Sequence, residues 1–247
     1  MTDPQRADGH THAHRPRVLV CDDETQILRA LRVILRDAGF EALPASTGEE
    51  ALDIAAVSRP EAAIIDLVLP DMDGIELCRR LREWTEIPLL VLSAVDDEDA
   101  KVRALAVGAD DYVTKPFGPR ELIARLQANM RRIEPDRDTP VITTGELSID
   151  LASRTVTVGG EEVRLTPTEF SLLALLARNR GRLMTHRDLL VSVWGAGYGD
   201  DTQVLRAHIA NLRRKLDHAG DDGARGAASR TGGYIRTDAG VGYRFAA

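Results

Sequence analysis

The sequence predicts an α/β unit built on a parallel, doubly wound five-stranded sheet, joined to a smaller α+β unit. Three observations predict it. From residue 17 to residue 132, short apolar runs alternate with stretches of helical periodicity, the order that parallel strands joined by crossover helices require. Residues 134–140 then offer nothing apolar to bury apart from two prolines. Beyond them come short alternating runs, three amphipathic stretches and a last pair of runs around Gly240 and Gly242. The 247 residues suffice for two cores. The expected division is a disordered tail at 1–16, a first domain at 17–133, a linker at 134–141 and a second domain at 142–247.

Within the first unit, Val18 to Cys21, Ala62 to Ile65, Leu89 to Leu92 and Asp111 to Thr114 read as buried strands. Ile27, Leu28, Leu31, Ile34, Leu35 and Ala38 recur at helical spacing, and Gly39 ends that helix. Further helices are expected over Glu49 to Val57, Ile75 to Glu83, Glu98 to Val107 and Pro119 to Arg132. In the second unit, Glu146 to Asp150, Thr155 to Val158 and Glu162 to Leu165 predict a small antiparallel sheet. Thr166-Pro167-Thr168-Glu169 is a capping box with proline at the first helical position, and it opens a helix through Ala177. A second helix starts near Thr185, a third spans Thr202 to Leu216, and Tyr234 to Thr237 pairs with Tyr243 to Phe245 as a hairpin. Sheet, three helices and hairpin make a winged helix. Asp217 to Gly233, rich in Gly, Ala and Asp, reads as a mobile insertion.

Composition excludes several classes. No apolar run approaches the ~20 residues of a membrane span, and Met1 to Pro16 is polar and His-rich, unlike a secretory leader. Cys21 and Cys78 fit burial in a reducing compartment, so a cytoplasmic location is expected. His10, His12 and His14 alternate in the tail and read as solvated. Residues 1–133 carry 24 acidic and 17 basic side chains, and the rest carry 15 of each. An acidic first half suits a cation site, whereas affinity of the second half for nucleic acid must come from a local patch. The stretch Thr202 to Leu216 contains Arg206, Arg213, Arg214 and Lys215 and no acid.

Four positions carry chemistry, each at the C-terminal end of a strand-like run, where open α/β sheets bind ligands: Asp22-Asp23, Asp66, Ser93 and Lys115. A carboxylate can accept a phosphoryl group when a divalent cation neutralises the incoming charge and a fixed cation holds the phosphoryl oxygens. Asp22 and Asp23 offer hard oxygen ligands suited to Mg²⁺. Taken singly, an Asp-Asp pair caps helices, a serine ends strands and Lys-Pro makes turns; only the set is specific. With Leu69-Pro70-Asp71-Met72-Asp73-Gly74 after Asp66 and Gly108-Ala109-Asp110-Asp111-Tyr112 before Lys115, this order resembles the receiver domain of two-component response regulators. The second half resembles the winged-helix DNA-binding domain of their OmpR/PhoB class.

That resemblance implies Asp66 as the phosphoacceptor, with Asp22, Asp23, Asp66 and the backbone carbonyl of Val68 holding Mg²⁺. It also implies Lys115 as the phosphoryl-pairing cation, a cis Lys115-Pro116 bond, Ser93 as a switching hydroxyl and Tyr112 as the aromatic that follows it. Lys101, Asp110, Asp111, Glu121, Arg125 and Arg132 match positions that pair charges across a phosphorylation-driven homodimer. In the third helix of the second unit, Leu205, Ile209, Leu212 and Leu216 form a core stripe. Gln203, Arg206, Ala207, Ala210, Asn211 and Arg214 form the opposite stripe, suited to a major groove, with Arg213 and Lys215 in reach of phosphates. Ala239 stands in the wing where many relatives have an arginine, and the Gly195 to Asp201 loop is where relatives touch RNA polymerase. The expected partners are a sensor histidine kinase, promoter DNA, RNA polymerase and a second copy. Segments 71–76 and 241–245 narrow the resemblance to regulators of potassium-uptake operons. Two rivals remain: a Mg²⁺-dependent phosphotransferase with an aspartyl-phosphate intermediate, for which no second acid stands close after Asp66, and a phosphorylation-dependent protein-binding adaptor, against which the basic patch argues.

Overall fold

The computed structural model describes residues 15–94, 98–130, 141–195, 198, 201–218 and 233–246. Tail residues 1–14, Val95, Arg132, residues 134–140 and most of the Asp217 to Gly233 stretch lie outside the described residues.

Five strands, β1 (Arg17–Cys21), β2 (Glu41–Ala45), β3 (Ala62–Asp66), β4 (Leu89–Ala94) and β5 (Asp111–Lys115), form one parallel sheet in the order β2-β1-β3-β4-β5. Every residue of β3 is buried, which is why its sequence is a continuous apolar run. Helices α1 (Thr25–Asp37) and α5 (Pro119–Met130) cover one face. There Leu31, Leu35, Leu122 and Leu126 pack on Val18, Val20, Ile64 and Leu90. Helices α2 (Gly48–Ser58), α3 (Gly74–Arg82) and α4 (Glu98–Ala106) cover the other, where Ala51, Leu77, Cys78 and Ala104 meet Leu19, Cys21, Ala63 and Ile65. Both cysteines are buried free thiols. The strand order reverses between β1 and β3, so the crevice at their C-terminal ends is the place where such sheets take ligands.

The second unit begins with an antiparallel sheet of β6 (Val141–Thr144), β7 (Leu147–Asp150), β8 (Thr155–Val158) and β9 (Glu161–Glu162). Strand β6 goes beyond the sequence expectation, and β9 is shorter than the expected Glu162 to Leu165. Helices α6 (Pro167–Arg178), α7 (His186–Trp194) and α8 (Thr202–His218) follow. A second sheet has the order β10-β12-β11, with β10 (Leu183–Thr185), β11 (Ile235–Asp238) and β12 (Gly242–Phe245). The expected capping box is present: Thr166 Oγ1 accepts from the Glu169 amide, and Glu169 Oε2 accepts from the Thr166 amide. A second box, Thr185 with Asp188, starts α7. Leu205, Ile209, Leu212 and Leu216 are all buried, as the core stripe of α8 requires. The core of this unit is continuous with the α2-α3-α4 side of the first.

Candidate functional site

The loop after β3 is built from its own carboxylates. Asp73 caps α3 by accepting from the Ile75 amide at 2.8 Å, and Asp71 reaches across to accept from the first amides of α2, Gly48 at 2.8 Å and Glu49 at 3.0 Å. Those amides hold the Asp71 carboxyl below its usual range. Gly74 donates its amide to Leu67 O at 2.9 Å, and a Cβ on Gly74 would collide with the backbone carbonyl of Asp66. Only glycine lets α3 start this close to the end of β3.

At the sheet edge this loop faces Asp22, Asp23 and Lys115. Carboxylate oxygens of Asp22, Asp23 and Asp66 lie within 4.8 Å of one another. Lys115 Nζ donates to Asp22 Oδ2 at 2.8 Å and to Asp66 Oδ2 at 2.9 Å, and the Lys115-Pro116 bond is cis. Burial pushes the Asp66 carboxyl above its ordinary range, with Lys115 opposing. The two carboxylates in turn hold the Lys115 ammonium above its own usual value despite its partial burial. Three acids against one lysine leave the cup anionic, and its all-oxygen donor set fits a hard divalent cation such as Mg²⁺. Val68 pairs its backbone with Asp73 and leaves its side chain 75% exposed.

Ser93 is 2% exposed and its Oγ has no hydrogen-bond partner, an orphan expected of a hydroxyl whose acceptor arrives with a ligand. Tyr112 is half-buried; its hydroxyl donates to Asp201 Oδ2 at 3.1 Å, and the Lys101 ammonium lies 5.3 Å from its ring centroid. The charges expected to pair between copies pair within the chain instead. Asp110 binds Arg82 at 2.7 Å. Asp111 binds Arg125 at 3.2 Å and accepts from the hydroxyl of Tyr198, and Arg125 also binds Glu121 at 3.1 Å. Burial drives the Asp111 carboxyl upward, with Arg125 opposing.

Of the six candidate DNA contacts, Arg206 is exposed on α8. Gln203 faces Glu98 at 3.5 Å. Asn211 is buried and donates to Leu105 O at 2.8 Å, while Arg214 donates to Ala106 O at 3.4 Å. Arg213 braces the hairpin, donating to Ile235 O at 2.8 Å and to Thr237 Oγ1 at 2.7 Å. Lys215 lies on the core side, against Glu169 at 2.7 Å.

Comparison with known proteins agrees with this architecture. The family "Response regulator receiver domain" matches residues 18–127, and "Transcriptional regulatory protein, C terminal" matches residues 160–245. The transcriptional regulatory protein KdpE of Mycobacterium tuberculosis is 48% identical over 93% of this chain and 99% of its own length. The KDP operon regulator KdpE of Escherichia coli is 43% identical over 92% of this chain and 98% of its own length. The chain belongs to the OmpR/PhoB class of response regulators. A solved mutant of RitR superposes with a TM-score of 0.71 at 27% identity, covering 93% of this chain and 98% of that one.

In this response regulator several residues near the site escape sequence reasoning. Asp71 shows as part of a loop, yet it is the cap of α2. Tyr198, Asp201 and His208 contact the receiver from the DNA-binding domain, and a single sequence gives no signal for contacts made between domains. Only the short Trp194-to-Asp201 spacing, with one tyrosine between, marks that loop as more than a connector.

Proposed function

We propose that this regulator receives a phosphoryl group from a sensor histidine kinase on Asp66. The observation that carries the reading is the Lys115 ammonium set between Asp22 and Asp66 in an acidic cup at the switch point of the sheet. A carboxylate oxygen of Asp66 attacks phosphorus, the bond from phosphorus to the donor nitrogen breaks, and the kinase imidazole leaves with a proton. Lys115 holds the phosphoryl oxygens, and the orphan hydroxyl of Ser93 turns to them. Asp22, Asp23, Asp66 and the Val68 carbonyl would hold Mg²⁺, which neutralises charge on the incoming group.

In this reading residues 17–133 are the receiver, 134–141 the linker and 142–247 the DNA-binding domain. Tyr112 follows Ser93. Two copies then pair through α4, β5 and α5, with Lys101, Asp110, Asp111, Glu121, Arg125 and Arg132 exchanging their internal partners for the second copy. Gln203, Arg206, Asn211 and Arg214 read direct-repeat promoter DNA, Arg213 and Lys215 stand near its phosphates, and RNA polymerase meets the α7-α8 loop. The near full-length likeness to two KdpE proteins supports control of a potassium-transport operon in the cytoplasm, and it favours a regulator over a phosphotransferase or an adaptor.

The test is uptake of phosphoryl from acetyl phosphate with Mg²⁺. Asp66→Asn should abolish it, and Asp23→Ala should chiefly raise the Mg²⁺ concentration required. One phosphoryl group still carried by the Asp66→Asn chain would overturn the assignment.

A further inference from the structure

The receiver face proposed for pairing is already covered, and so is part of the helix proposed to read DNA. Helix α4 ends at Ala106, where carbonyls at a helix C-terminus lack partners along the helix and carry negative partial charge. Asn211 and Arg214 of α8 donate to the carbonyls of Leu105 and Ala106. His208, 1% exposed, sets Nε2 2.8 Å from the Asp110 carbonyl oxygen. Tyr198 is 5% exposed, with its hydroxyl on Asp111 and the Arg125 guanidinium 4.4 Å over its ring. Asp201 takes the hydroxyl of Tyr112.

We propose that the face formed by α4, β5 and α5 is a docking surface for α8 of the same chain, so that one closed contact withholds the pairing face and the DNA face together. The inference rests on the DNA-reading role of α8 given above. Tyr198 anchors the contact, because a tyrosine hydroxyl supplies one of the few donors to the buried Asp111 carboxylate. Asp201 makes it responsive, because Tyr112 cannot turn toward a phosphorylated site without leaving Asp201. Arg125 and Asp111 cannot serve a second copy while Tyr198 lies between them and solvent, so opening must come before pairing.

The experiment uses the full chain with probes at Val57→Cys and Val241→Cys, both exposed positions, the native thiols being buried. Tyr198→Phe with Asp201→Asn keeps the side-chain shapes and removes both hydrogen bonds. The distance distribution between probes should lengthen and broaden, and phosphorylation of the unmutated chain should do the same. Duplex DNA is selected from a random pool with the phosphorylated chain. Affinity of the unphosphorylated double variant for it should exceed that of the unphosphorylated parent on the order of tenfold, as expected for losing a hydrogen bond to a charged group. Should the pool yield no duplex, the DNA-reading role fails, and the distances still decide the docking. Unchanged distances in both the variant and the phosphorylated chain would overturn the docking, and longer distances with unchanged affinity would overturn the masking.

Discussion

Val68 stands two residues beyond Asp66, with its amide bonded to the Asp66 carboxylate and its side chain largely exposed at the rim of the cup. Hydrolysis of an aspartyl phosphate needs a water in line with phosphorus, and a polar side chain at the rim could orient it. A β-branched hydrocarbon cannot, so phospho-Asp66 is expected to persist. Val68→Asn should shorten its lifetime, each tenfold in rate amounting to about 1.4 kcal/mol of barrier. Loss of radiolabel from purified phosphoprotein, free of kinase, is the measurement, and an unchanged lifetime would remove Val68 from control of water access. Val95, its apolar counterpart two residues beyond Ser93, lies outside the described residues. At this scale the acceptor and its neighbours were readable because ionisable residues ended apolar runs. The orphan state of Ser93 Oγ was not, since hydrogen bonding depends on what folds over it.

The junction of β3 with α3 shows how elements position the acceptor. A methyl group at Gly74 meets backbone, not a flexible side chain, so the Asp66 carbonyl or the start of α3 must move. Gly74→Ala should cost ~1–3 kcal/mol of stability and slow phosphoryl uptake from acetyl phosphate. Gly118→Ala, where a Cβ would meet nothing within 4 Å, is the control and should leave uptake unchanged. If both variants take up phosphoryl at the parent rate, the close approach at Gly74 does not set the acceptor's position. The central strands were legible because burial on both faces writes continuous hydrocarbon into the sequence, as in Ala62 to Ile65. Strand β6 was not, because it pairs only with β7 and its residues alternate between exposed and half-buried, leaving no core-facing pattern. Strand β10 was hidden for another reason: its three residues join the hairpin through Gly242, whose missing Cβ lets the Met184 carbonyl approach.

For the whole molecule, the closed arrangement ties the phosphoryl site to the DNA face through Tyr112 and Asp201. It was illegible in the sequence because an amide and a guanidinium on α8 look the same whether they await base edges or receiver carbonyls. Coupling between two sites is reciprocal in free energy: if a group at Asp66 tightens DNA binding by some factor, DNA must tighten binding of that group equally. Pairing of two copies also couples the sites, so the contribution of opening is isolated on a duplex carrying a single half-site, where one chain binds alone. With beryllofluoride as the phosphoryl mimic, the half-site should raise its affinity for the full chain by the same factor by which beryllofluoride raises affinity for the half-site. In the Tyr198→Phe and Asp201→Asn chain, already open, both factors should fall toward one. A factor that stays the same in that chain would place the coupling elsewhere than the contact between α8 and the receiver.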